Sequence, residues 1–114
     1  MREPDEAELL AFLRRLRVVA GRRLAGDERA ISIVTSAAIG ARDLGWKPPD
    51  LIRLLLALEL SDFHRREPSV AGSGVVWTFE PYVDETLVWV RVVEDGVGWR
   101  VISCHLSETT EESR

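Results

Sequence analysis

The chain holds two histidines, and each stands beside arginine or aromatic side chains in short, dense stretches. His64 lies in FHRRE with Arg65 and Arg66. His105 ends WRVISCHL, and the run before it, TLVWVRVV, carries Trp89 and Arg91. An imidazole titrates near neutrality and can act as a general acid or a general base. A guanidinium presents forked donors that fit an oxyanion, and aromatic faces supply stacking area. Gathered in one place, these side chains would make an acid–base site around a bound anion. Ser103, Cys104 and His105 do not form a hydrolase signature, because adjacent strand residues point to opposite faces.

Strand alternation decides which of these groups can meet. In ETLVWVRVVEDG, Leu87, Trp89, Arg91 and Val93 share one face, and Val88, Val90 and Val92 share the other. The all-valine face belongs against helices, which leaves Trp89 and Arg91 on the open face. In GWRVISCHL, Trp99, Val101, Ser103 and His105 share a face, opposite Arg100, Ile102, Cys104 and Leu106. Ile102, Cys104 and Leu106 have core character, so His105 joins Trp89 and Arg91. The same alternation is satisfied if Arg91 and His105 are only the polar half of an amphipathic sheet. His64, Arg65 and Arg66 follow an apolar run directly, where a rigid element would deliver them near the sheet edge. A solvated helix end, with cations favoured by the dipole, accounts for them equally.

The elements that must position these residues are legible in outline. Residues 5–60 read as helical. EAELLAFLRRLRVVAG repeats apolar residues at three- and four-residue spacing, with Gly21 suited to a C-terminal cap. A second helix is predicted across 28–44, closed by Gly45, with an extended piece at its beginning suggested by the β-branched ISIVT. Pro48 and Pro49 fit the first turn of a third helix, DLIRLLLALEL, apolar nearly all round and hence a buried spine. Val75–Tyr82, Thr86–Glu94 and Gly98–Leu106 read as three strands of an antiparallel meander, joined by VDET and EDGVG. The predicted class is α+β, with N-terminal helices packed on one face of a C-terminal antiparallel β-sheet. One domain is expected across 1–114: a helical half of about 5–66, a meander of about 75–106 and a flexible acidic tail, 107–114.

Composition bounds the function. With 114 residues, 46% of them apolar and 30% charged, the chain has the make-up of a single globular domain. No apolar run reaches membrane-spanning length, and MREPDEAE is acidic where a secretory leader would be basic. One cysteine, Cys104, allows no internal disulfide and too few soft ligands for zinc. A cytoplasmic protein with no cofactor, no metal and no membrane partner is the expectation. The net charge of −4 weighs mildly against a nucleic-acid partner, yet it is uneven: residues 1–66 hold 12 basic and 10 acidic side chains, residues 67–114 hold 3 and 9. Arg14, Arg15, Arg17, Arg22 and Arg23 could track a nucleic-acid backbone, face a protein partner or be solvated. AGSG at 71–74 is a turn, with no following helix to make it a phosphate loop.

LIRLLLALELSDFHRRE, with the later VVW, LVWVRVV and VISCHL, resembles the motility quorum-sensing regulator (MqsR) toxins, whose fold is related to the RelE ribonucleases. The likeness runs from about Phe12 to Leu106, includes ARDLGW before the third helix, and is most specific at SDFHR. It implies a ribosome-independent mRNA endoribonuclease of a bacterial toxin–antitoxin pair, with single-stranded mRNA as substrate and an adjacently encoded antitoxin as partner. The family's basic residue falls on Arg65, with His64 in an aromatic slot, and its strand-end lysine falls on His105. Its glutamine falls on Thr78 and its active-site tyrosine on Trp89, so an amide and a phenol are replaced.

Metal-free RNA cleavage needs a base for the 2′-hydroxyl, an acid for the leaving 5′-oxygen and cations around the crowded phosphorane. The two histidines, His64 and His105, would supply the base and the acid, with neither role assigned to one of them, and Arg65 and Arg91 would hold the phosphate. Trp89 and Tyr82 would stack bases, with Thr78 and Arg66 completing the RNA contacts. Two other readings stay open. One is a nuclear-transport-factor-2-like small-molecule domain, in which DG-W-R-V-I-S also occurs near the end. The other is a non-catalytic, toxin-like protein-binding module.

Overall fold

Asp5 starts the first helix, α1 (Glu6–Leu24): its carboxylate accepts from Glu8 N at 2.8 Å while Glu8 Oε1 accepts from Asp5 N at 3.4 Å. This reciprocal cap satisfies amides that the first turn leaves without carbonyl partners. Gly21 lies inside α1 rather than at its end. The chain turns after Ala25, at Gly26, whose φ of +111° an L side chain rarely adopts. Leu9, Phe12, Leu13, Leu16 and Ala20 form the buried stripe that periodicity picked out. The computed structural model describes residues 1–70, 72–96 and 98–107, so the predicted acidic tail lies outside the described residues beyond Ser107.

The second predicted helix divides. A two-residue strand, β1 (Ser32–Ile33), precedes α2 (Thr35–Asp43), and Gly45 (φ +84°) follows the C-cap Leu44. ISIVT therefore contributes the extended piece its β-branching favours. The third helix, α3 (Pro48–Ala57), opens on Pro48, and Asp50 Oδ2 accepts from Lys47 N at 2.9 Å. It stops three residues before the predicted end. A 3₁₀ turn at Leu60–Asp62 leads into β2 (Phe63–Pro68), so the segment assigned by sequence to a helix end is a strand. Its charges suit an edge strand, where they discourage pairing with another chain, and Pro68 stands at its end.

With β3 (Val75–Phe79), β4 (Tyr82–Val83), β5 (Thr86–Glu94) and β6 (Trp99–Leu106), the sheet runs in the order β1-β6-β5-β3-β2, and β4 pairs with the start of β5. All pairings are antiparallel except β1 with β6. The class is α+β, as the order of elements in the sequence implies, but the meander is extended on both sides by strands from the predicted helical half.

α1 and α3 cover one face of the sheet. Phe12 is fully buried, stacks on Trp77 at 4.0 Å between ring centroids, and lies 6.0 Å from Phe79 and 5.4 Å from Trp99. Burying a side chain of this size contributes about 1.5–3 kcal/mol, so Phe12 is a principal anchor of α1. Leu51, Ile52 and Leu55 of α3 and Val88, Val90 and Val92 of β5 belong to the same core. α2 lies along β6 instead: a Cβ at Gly40 would stand 1.9 Å from the Cys104 carbonyl oxygen, so only glycine permits this approach. No helix among the described residues is long and apolar enough to cross a membrane.

Candidate functional site

Two β-bulges re-aim the side chains of the uncovered face. On β2, Phe63 pairs with Phe79 and Arg65 with the next residue along, Thr78, which leaves His64 as the extra residue. A bulge of this kind lets two consecutive side chains escape strict alternation. His64 and Arg65 therefore both serve the open face, and Arg66 turns to the helix side. On β6 the extra residue is Ile102, since Arg91 pairs with Ser103 and Val92 with Val101. The expected faces of β6 are corrected accordingly. Val101 is fully buried in the core, Trp99 packs on Phe12, Ile102 is half-buried and Leu106 is exposed. Cys104 and His105, beyond the bulge, keep their expected faces.

The open face thus carries Arg65, Thr78, Arg91 and Ser103 in one register row across four strands, and Trp89 opposite His105 in the next. The His64 ring meets the Trp89 indole edge-on, 5.1 Å between centroids. The Arg65 guanidinium lies 5.6 Å from the same indole, a cation–π contact worth about 0.5–1 kcal/mol at an exposed position. Trp89 is therefore the common neighbour of His64, Arg65 and His105.

Each imidazole is oriented through its Nδ1. His64 Nδ1 stands 3.1 Å from Glu80 Oε1, and the other Glu80 oxygen accepts from the Ser107 hydroxyl. His105 Nδ1 stands 2.7 Å from the Leu106 carbonyl oxygen. A carboxylate and a carbonyl only accept, so both histidines carry a proton on Nδ1 and are left with Nε2 for chemistry. That is the arrangement that makes an imidazole a directed acid or base.

The two arginines share one carboxylate. Glu67 Oε2 is 2.7 Å from Arg65 Nε, and Glu67 Oε1 is 3.4 Å from Arg91 Nη2. Beneath them Thr78 is fully buried, and neither its Oγ1 nor Arg91 Nε has a hydrogen-bond partner. Glu67 and Glu80 were not singled out from the sequence. Extending alternation from Thr78 would have placed Glu80 on the open face. Glu67 needed FHRREP to be read as a strand.

One expected contributor lies elsewhere. The Arg66 side chain, 11% exposed, reaches over the Trp77 ring at 5.1 Å and donates to Glu8 Oε2 and the Arg2 carbonyl oxygen. It ties β2 to the start of α1 on the helix side of the sheet. Tyr82 is 67% exposed, pairs with Leu87 at the start of β5, and borders a groove of about 670 Å³ with Trp46, Asp50, Arg53 and Leu54.

The basic run of α1 is largely committed to structure. Arg15 donates to both Glu94 oxygens at 2.7 Å, Arg17 to the Leu58 carbonyl at 2.8 Å, Arg22 to Asp27 at 2.9 Å and Arg23 to the Ile31 carbonyl. Burial pushes the Cys104 thiol up to about 11, which removes it as a nucleophile near neutral pH. Among the described residues no three His, Cys, Asp or Glu side chains cluster as metal ligands. No family model matches the chain, and no curated protein matches it.

Proposed function

We propose that this chain is a metal-independent endoribonuclease that cleaves single-stranded mRNA, the toxin of a toxin–antitoxin pair of the MqsR-like kind. The observation that carries the reading is the pair of imidazoles, each held through Nδ1, on the face that also presents Arg65, Arg91 and Trp89. A base stacks on Trp89, and Arg65 and Arg91 hold the scissile phosphate. His105 Nε2 takes the proton of the 2′-hydroxyl, and the 2′-oxygen attacks phosphorus. His64 protonates the departing 5′-oxygen. Glu80 offers an ion-pair partner to a protonated His64, whereas the Leu106 carbonyl asks of His105 only an Nδ1 proton; this contrast supports His64 as the acid and His105 as the base. The products are a 2′,3′-cyclic phosphate and a 5′-hydroxyl end, with no change in proton count.

Purified protein and an end-labelled single-stranded RNA test this directly. Cyclic-phosphate products with metal chelated, together with growth arrest on induction that the co-expressed neighbouring gene relieves, are the expected results. Intact RNA at micromolar enzyme, with unaffected growth, refutes the reading. The same measurement addresses the non-catalytic binding module, which is favoured by Trp89 and Thr78 standing where the resembling family has tyrosine and glutamine. The small-molecule reading has less support, since ion pairs rather than an apolar lining occupy this face.

A further inference from the structure

We propose that Glu67 is a built-in stand-in for phosphate: its carboxylate occupies the anion position between Arg65 and Arg91, and a phosphate group enters by displacing it. The inference rests on the reading of this face as a phosphate-handling site and names how that site is kept closed to weak anions. The geometry is that of a bridging oxyanion, with one carboxylate oxygen on Arg65 at 2.7 Å and the other on Arg91 at 3.4 Å. Glu67 sits on β2 and Arg91 on β5, with β3 between them, so the side chain reaches across a strand to make the second contact.

Two further observations point to an incoming ligand. Thr78 is fully buried in the register row shared by Arg65 and Arg91, yet Thr78 Oγ1 has no partner. Arg91 Nε is likewise buried and without a partner. A buried donor left unmade is costly, and such atoms call for a reason. A carboxylate has two oxygens, both engaged here with Arg65 and Arg91. A phosphate has more, and they can reach donors that Glu67 does not. The Glu67 contacts are partly exposed, with about a third of its side chain accessible, and surface ion pairs of this kind are weak. Displacement by an anion with more oxygens and more charge is therefore accessible, whereas chloride or an isolated carboxylate gains little over Glu67.

The test is a titration with inorganic phosphate, read from the Arg side-chain Nε–H resonances, and with a 2′-O-methyl oligoribonucleotide, which binds but lacks the nucleophile. Glu67→Gln should tighten both by roughly 3- to 10-fold. Glu67→Asp keeps the charge but is too short to span β3, and should recover part of the gain. The gain should vanish when Arg91→Met is added. Unchanged or weaker binding in a folded Glu67→Gln protein overturns the proposal, as does a gain that persists without Arg91 or is absent from Glu67→Asp. The phosphate arm involves no RNA. A gain there without RNA cleavage would refute the ribonuclease reading and leave the role of Glu67 standing.

Discussion

Glu80 couples two distant parts of the chain: one of its oxygens stands 3.1 Å from His64 Nδ1 on β2 and the other accepts from the hydroxyl of Ser107, just past β6. The glutamate side chain is only 15% exposed, so the imidazole is held by a group that water screens poorly.

Glu80→Gln keeps the shape and removes the charge. Cleavage of single-stranded RNA is expected to fall by roughly 10- to 100-fold while thermal stability changes little, because the amide orients His64 less well and cannot pair with its protonated form. A folded Glu80→Gln protein with wild-type rates would remove His64 from the acid role.

His105→Ala is expected to lower the cleavage rate by roughly 10²–10⁴-fold with the fold intact, since the residue is exposed near the end of β6. A histidine that was only structural would instead lower the melting temperature and spare the specific activity of folded protein.

Excess EDTA should leave cleavage unchanged. Glu67 and Glu80, acids beside the imidazoles and arginines of the open face, are committed to basic partners, Glu67 to Arg65 and Arg91 and Glu80 to His64. Loss of activity on chelation, restored by magnesium or manganese, would require a different mechanism.

Gly40→Ala tests the seat of α2 on β6. The added Cβ meets a backbone carbonyl oxygen rather than a flexible side chain, so α2 must shift. Destabilisation of roughly 1–3 kcal/mol, read as a lowered melting temperature, is expected. An unchanged melting temperature would mean that α2 does not pack this closely.

Stability should fall in acid partly through Glu8. Hydrogen bonds from Arg2, and next from Arg66, hold its carboxyl down to about 2, against an ordinary value of 4.5. Because the folded value is the lower one, its contribution is fully present above about pH 4.5 and is lost as pH falls through about 2. Glu8→Gln should flatten the stability curve in that window, as followed by chemical denaturation at a series of pH values. An unaltered curve would show that the Arg2–Glu8–Arg66 contacts add nothing to folding.

Periodicity along the chain was enough to place α1 and α3, the three central strands, and Trp89, Arg91 and His105 on the uncovered face. These follow from local rules: a helix repeats every 3.6 residues, a strand every two, and an all-valine face seeks a core. The charged FHRREP hid β2, because an edge strand need not look apolar. What only the tertiary structure decided are the relationships that depend on a partner strand. The bulges at His64 and Ile102 exist relative to the register of β3 and β5, and they determine that Arg65 faces the site and Arg66 the helices, and that Val101 enters the core. Glu67 and Glu80 meet their partners because the sheet order sets β2, β3 and β5 side by side, bringing Glu67 to Arg91 and Glu80 to His64. Alternation is a property of one strand, whereas register is a property of two, and no single stretch of this sequence encodes it.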